Sequence, residues 1–346
     1  MSNIDRINEL YENNCINKEE LTLLIKTCSP HDREYAAMKA RSLTDAVFEK
    51  KVYLRALIEI TNYCKNNCYY CGIRAENSDI SRYRLSEEDI FFACSEAYEL
   101  GLRTFVLQGG EDAYYTDEML CNIVKKIKKN FANCALTFSL GEKSFASYKM
   151  FFEAGVDRYL LRHETASRTH YLQLHPQNMD FDNRMRCLND LKLIGFQTGC
   201  GFMVGSPYQT IENIVDDLLF IKDFNPQMVG IGPFIPHKDT PFRAFTPGTA
   251  EKTLLLLSIV RMLLPRVLLP ATTALGTVSN NGRESGILSG ANVIMPNVSP
   301  SYARHNYKLY DNKIGSEDDV TESVENVSRF VRDLGYKVVI DRGDYS

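Results

Sequence analysis

The sequence predicts an α/β protein built on a parallel (β/α)8 TIM barrel, with helices before it and a small α/β appendage after it. Three observations lead there. Eight short apolar runs recur along the chain, at 52–60, 104–108, 134–140, 157–162, 198–204, 228–235, 268–273 and 291–295. Between them lie amphipathic stretches of helical period, near 86–100, 116–130, 143–154, 182–194, 210–223, 251–264 and 282–289. Several of the apolar runs are continuous rather than alternating, as a sheet covered on both faces requires.

Residues 1–50 read as a helical extension. Residues 5–10 and 18–26 carry apolar side chains at helical spacing, and 31–50 is a third, charged helix. Residues 51–300 form the barrel, with no low-complexity linker to divide it. Residues 301–346 form the appendage, an acidic helix over 317–334 followed by a short strand over 337–340. The 346 residues are 44% hydrophobic and 24% charged, an ordinary balance for a soluble enzyme. A net charge of −4 lacks the basic footprint of a nucleic-acid binder. Residues 1–20 are polar and charged, unlike a secretory signal. The most apolar stretch, 254–269, is broken by Arg261, Pro265 and Arg266, which argues against a membrane span. Ten cysteines without a signal segment fit a reducing compartment, so a cytoplasmic location is expected.

The chemistry concentrates in Cys64-Lys65-Asn66-Asn67-Cys68-Tyr69-Tyr70-Cys71, a C-x3-C-x2-C loop close behind the first apolar run. Three thiolates bind three irons of a [4Fe–4S] cluster and leave the fourth open to a small molecule. A zinc site is the competing reading, but it wants four ligands and no second C-x2-C pair is present. The histidines His31, His163, His170, His175, His237 and His305 all lie away from the loop in sequence. His170 and His175 have a finger-like spacing, yet sit far downstream. The other cysteines (Cys15, Cys28, Cys94, Cys121, Cys134, Cys187 and Cys200) show no tight spacing and read as small buried hydrophobes.

Active sites of such barrels lie at the C-terminal ends of the strands, where the cysteine loop falls. The second strand ends in Gln108-Gly109-Gly110-Glu111, with glycines that permit close backbone approach. The fourth ends in Asp157-Arg158-Tyr159-Leu160-Leu161-Arg162-His163-Glu164-Thr165. So many ionisable groups need partners, because an unpaired buried charge is expensive. Alternate members facing inward would bind a charged ligand. Arg184 opens the next helix; its guanidinium suits a carboxylate, although an isolated helix arginine is usually solvated. Thr272 and Thr273 either cap the next element or hold a polar ligand. Glycines in 199–205 and 230–232 mark close approach by another group, and His237 reads as an exposed loop residue.

The loop spacing, with an aromatic residue before the third cysteine, resembles the radical S-adenosylmethionine (SAM) superfamily. Within it, segments 61–74, 81–84, 159–166, 228–237, 270–276 and 290–297 together resemble the [FeFe]-hydrogenase maturase HydE family, over nearly all of 1–315. Biotin synthase and methylornithine synthase look like more distant relatives. The resemblance implies a [4Fe–4S] cluster on Cys64, Cys68 and Cys71, and SAM held by Glu164 and Arg184. Gly109, Gly110 and Glu111 would lie at the methionine end of SAM, Arg162 in the charged strand end and Tyr70 by the adenine. Gln108, Arg158, Met228, Thr272, Thr273 and Tyr307 would line the inner cavity. The implied reaction is reductive cleavage of SAM to a 5′-deoxyadenosyl radical, directed at a cysteine-bound iron carbonyl cyanide on the way to the di-iron subcluster. The maturases HydG and HydF and an electron donor are the implied partners. A methylornithine-synthase-type mutase, a biotin-synthase-like enzyme and a non-catalytic cluster carrier are the alternatives. Where some family members carry a second cluster on C-terminal cysteines, this chain has Gly315, Ser323 and Asn326, and no cysteine follows Cys200.

Overall fold

The computed structural model describes residues 1–315 and 319–345. Helices α1 (Asn3–Asn13), α2 (Lys18–Thr27) and α3 (Pro30–Phe48) open the chain. Ser2, Asn17 and Ser29 cap them, each side chain accepting a backbone N–H of the first turn that would otherwise be orphaned.

The barrel begins with β1 (Lys51–Leu54) and β2 (Ala56–Thr61), a single run interrupted at Arg55, and α4 (Glu87–Glu99). There follow β3 (Thr104–Gly109), α5 (Asp117–Asn130), β4 (Ala135–Ser139), α6 (Phe145–Ala154) and β5 (Arg158–Leu160). Then come α7 (Arg168–Leu174), α8 (Phe181–Ile194), β6 (Gln197–Cys200), β7 (Met203–Val204), α9 (Ile211–Phe224), β8 (Met228–Val229) and β9 (Gly232–Pro233). The circuit ends with α10 (Ala250–Leu263), α11 (Thr273–Val278), α12 (Gly282–Leu288) and β10 (Val293–Ile294).

Strands β2, β3, β4, β5, β6 and β8 form a six-stranded sheet in that order, and every pair is parallel. Single bridges carry the ring onward, Met228 to Leu268, Pro270 to Val293 and Asn297 back to Leu57. The expected seventh strand is therefore reduced to bridges, in part because Pro270 has no N–H to give a ladder. Ala56, Ile58 and Ile60 join the main apolar cluster, and Glu59 between them takes polar partners.

After the barrel come α13 (Ser301–Asn306), α14 (Val320–Asp333) and β11 (Lys337–Val339), which adds in parallel to β1. Asp319 caps α14, so the described helix starts later than expected; residue 317, the expected start, lies outside the described residues.

The structure corrects two expected cavity residues. Arg158 and Met228 open their strands and so sit at the N-terminal end of the barrel, remote from the cysteine loop. The Arg158 guanidinium is fully buried there, bonded to Thr104 Oγ1 at 3.0 Å, the Arg342 carbonyl at 2.7 Å and Asp344 at 2.6 Å. Met228 packs on Phe48, Leu268 and Val293. Residues 342–345 thus cover the lower end of the barrel, with Tyr345 N–H on Gln197 at 3.0 Å and the Gly343 carbonyl on Arg55 at 3.3 Å. Asp344→Ala leaves a buried cation short of its carboxylate, a loss of about 1–3 kcal/mol. The urea midpoint should fall accordingly; an unchanged midpoint would show that the tail does not anchor the barrel.

Candidate active site

The cysteine loop has almost no regular structure, so its backbone groups need side-chain partners. Arg82 supplies four bonds, to the carbonyls of Ile73 at 2.9 Å, Arg74 at 2.6 Å, Asn77 at 3.0 Å and Asn62. Asn62 donates to Ser81 and Asn306 carbonyls at 2.8 and 2.9 Å and accepts from Tyr83 N–H at 2.7 Å. Glycines let neighbouring chain approach. A Cβ at Gly110 would stand 2.2 Å from the Tyr63 carbonyl, and one at Gly72 would stand 2.1 Å from the Lys308 carbonyl.

This places Cys64, Cys68 and Cys71, all free thiols, on one wall of a cavity of about 350 Å³. Burial pushes the Cys71 thiol up to about 12, and burial followed by the neighbouring Cys71 pushes Cys68 well above its ordinary value. Without a cation the pocket holds thiols; binding iron must release their protons. Among the described residues no three His, Cys, Asp or Glu side chains converge to hold a single metal ion, as zinc requires. Thiolates around a multi-iron cluster meet different irons and need not converge.

Of the residues expected at the site, Tyr70, Gln108, Gly109, Gly110, Glu111, Arg162, Glu164, Arg184, Thr272 and Tyr307 line the same cavity. Arg158, Met228 and Thr273 do not; Thr273 is the first residue of α11, and Thr272 caps it by accepting from Leu275 N–H at 3.3 Å. Arg184 is buried rather than solvated. Its Nε meets Glu142 at 2.5 Å and its Nη1 the Arg162 carbonyl at 2.7 Å. Arg162 Nη2 and Glu164 Oε2 stand 3.3 Å apart, and neither atom has a hydrogen-bond partner, nor does Arg162 Nε. A cation and an anion that face only each other, with hydrogen-bonding capacity left over beside a cavity, suit a polar, zwitterionic ligand such as SAM.

Glu164 is held at φ +64°, a left-handed conformation that costs a non-glycine residue energy and needs support from its surroundings. Its N–H bonds the Gly201 carbonyl at 3.0 Å. His163 Nδ1 accepts from Gly201 N–H at 3.2 Å, which puts the ring proton on Nε2, 3.5 Å from Asp217. Asp217 in turn accepts from Ala166 N–H at 2.5 Å. The Arg162–Ala166 segment is thereby pinned from behind.

Three further residues carry no local sequence signal. Glu142 reaches Arg184 from beyond β4. His175 Nδ1 faces the Tyr171 carbonyl at 2.9 Å and must donate, so its Nε2 accepts from Tyr70 O–H at 3.1 Å. His237 is buried, not exposed as expected, because it packs against Gly72 of the cysteine loop. His170 bonds the Pro207 carbonyl at 3.0 Å and takes no part in a finger-like pair with His175.

Arg82→Ala should weaken iron retention by roughly 10–100-fold, the usual cost of losing a group that orients metal ligands. Cluster loss to a chelator, followed by absorbance, checks it. His175 supplies a pH prediction. Burial and then Arg184 lower its pKa from 6.5 to about 3. The unfolded chain therefore binds the extra proton between those values, and stability falls as pH drops from 6.5 toward 3. His175→Gln should flatten that acid limb in unfolding titrations; an unaltered limb would assign it to other groups.

The Radical SAM superfamily profile matches residues 58–221. Over 293 residues, covering 85% of this chain and 83% of the relative, the sequence is 46% identical to the [FeFe] hydrogenase maturase subunit HydE of Thermotoga maritima. It is 26% identical to the 3-methylornithine synthase of Methanosarcina acetivorans, over 93% of this chain and 91% of that one. The crystal structure of methylornithine synthase superposes with a TM-score of 0.84 at 24% identity, over 96% of this chain and 97% of that one. That of the [FeFe]-hydrogenase maturase HydG gives 0.80 at 19% identity, over 96% and 75%. Those two likenesses are of fold. On sequence, with three cysteines and the charged strand-end residues gathered at one cavity, the chain is a radical SAM enzyme belonging to the HydE family.

Proposed function

We propose that this protein acts in assembly of the di-iron subcluster of [FeFe]-hydrogenase, taking a cysteine-bound iron carbonyl cyanide as substrate. The observation that carries the reading is the meeting of the three thiols with Arg162, Glu164 and Arg184 around one cavity. Cys64, Cys68 and Cys71 would hold the [4Fe–4S] cluster; Arg184, Arg162 and Glu164 would hold the charged groups of SAM. When bound, cluster and SAM together supply a 5′-deoxyadenosyl radical by one-electron reductive cleavage. The protein's own contribution is to bind, orient and exclude water. Gln108, Thr272 and Tyr307 offer amide and hydroxyl groups to a polar substrate in the same space. Tyr70, fixed by His175, would flank the adenine. HydG as supplier, HydF as recipient and a one-electron donor are the proposed partners, by family likeness. Among the described residues no helix is long and apolar enough to cross a membrane; a cytoplasmic location is proposed.

A mutase of the methylornithine synthase type is the second reading, favoured by the sequence likeness that extends over 93% of the chain. Anaerobic turnover of the reconstituted, reduced protein separates the two. Precursor-dependent SAM consumption, with the adenosyl group found on the substrate's sulfur by mass spectrometry, is expected. Free 5′-deoxyadenosine formed irrespective of the precursor would overturn the substrate assignment. Cys68→Ala should abolish cleavage, and retained cleavage would overturn the cluster assignment.

A further inference from the structure

Glu59 is a fully buried carboxylate on β2, shortly before the cysteine loop. Its Oε1 pairs with Lys313 Nζ and its Oε2 accepts from Asn297 Nδ2 at 2.7 Å. Lys313 Nζ also donates to the Tyr307 carbonyl at 3.1 Å and stands 4.9 Å from the centre of that tyrosine ring. The two side chains are 1% and 9% exposed, so the pair is nearly dry.

The segment 307–313 is a strap with two different faces. Tyr307, Leu309 and Tyr310 line the reaction cavity. Lys308, Asp311 and Lys313 line a second pocket, polar and about 1090 Å³ in volume, which Tyr310 also borders. The strap is therefore the partition between the two. Gly72 N–H donates to the Leu309 carbonyl at 2.8 Å, which ties the strap to the cysteine loop. Asp311 N–H donates to the Pro236 carbonyl at 3.2 Å, which ties it to the chain just beyond β9.

We propose that Glu59 and Lys313 are positioning residues that set this strap as the roof of the reaction cavity. Through it they fix the Tyr307 phenol, which Gln108 Nε2 meets at 3.4 Å. A buried ion pair is a poor source of net stability, because desolvation offsets most of the attraction. It is a good source of register, since a buried ammonium can rest only where its acceptors are. Apolar packing alone would leave the strap free to slide by a residue. Here the lysine's acceptors include a barrel carboxylate and the strap's own Tyr307 carbonyl, so both ends of the segment are referred to β2.

The test has two arms, and only the second rests on the maturase reading. In the first, amide exchange is measured on the protein without added ligand. Lys313→Met should speed exchange at Gly72 and Asp311 by roughly tenfold or more, with the amides of β3 and β4 unchanged. In the second, kinetics use the reconstituted protein and the cysteine-bound iron carbonyl cyanide. Lys313→Met should raise the precursor KM by about tenfold with little change in kcat, the mark of a lost binding geometry. The SAM-induced change in the spectrum of the reduced cluster should stay as in the parent. The double variant Glu59→Gln, Lys313→Met removes both charges and so guards against simple misfolding. It should recover stability but not KM, and Lys313→Arg should recover part of both. Unchanged exchange in Lys313→Met, or full recovery of KM in the neutral double variant, would overturn the proposal. A parent protein indifferent to the precursor would count against the maturase reading alone, because the exchange arm still reports on the strap.

Discussion

The site depends on one constraint: a long, irregular backbone segment must hold three thiols in fixed relation without a helix or a sheet to do it. Arg82 meets that constraint by giving four hydrogen bonds to carbonyls spread from Asn62 to Asn77. A planar guanidinium with five donors is the one side chain able to satisfy so many acceptors at once. Asn62 completes the work by joining the loop's beginning to Ser81, Tyr83 and Asn306. The elements that pack against the loop meet this frame, among them Gly110 just beyond β3, His237 and the strap at Leu309.

Charge is distributed in the barrel by height. At the upper end, Arg162 and Glu164 keep polar atoms without hydrogen-bond partners beside the cavity, and Arg184 is only partly engaged by Glu142. At the lower end, Arg158 is fully engaged by Thr104, Arg342 and Asp344. The contrast between Arg162 and Glu164, which keep unused hydrogen-bonding atoms beside a cavity, and Arg158, whose guanidinium is taken up by protein partners, is how a binding residue differs from a structural one of the same type. The strained Glu164 backbone, braced by Gly201 and by the His163–Asp217 pair, belongs to the first kind.

What the sequence made legible was local. The cysteine spacing, the glycines after the second strand and the charged end of the fourth are each contained within a few residues, and the chemistry they imply does not depend on distant partners. The alternation of apolar runs and amphipathic stretches likewise exposes the barrel. Height along a strand was not legible. Arg158 and Arg162 share strand parity, yet four residues at about 3.3 Å each put roughly 13 Å between them. The charged strand end and the family resemblance together placed Arg158 in the cavity with Arg162; the partner that claims Arg158 is Asp344, at the far end of the chain. Glu59, Glu142 and His175 were missed for the same reason, since each acquires its role only from a residue brought near by the fold. His237 looked like a surface residue until Gly72 packed against it.

The central claim is that three cysteines hold a cluster whose open iron faces the charged groups that bind SAM. The most direct measurement is low-temperature electron paramagnetic resonance of the reconstituted, one-electron-reduced protein, with and without SAM. The account predicts a reduced [4Fe–4S] signal whose g values shift when SAM is added, and whose shift weakens in Arg184→Ala. A reduced cluster with an identical spectrum in both conditions would contradict it, because it would place SAM somewhere other than the open iron.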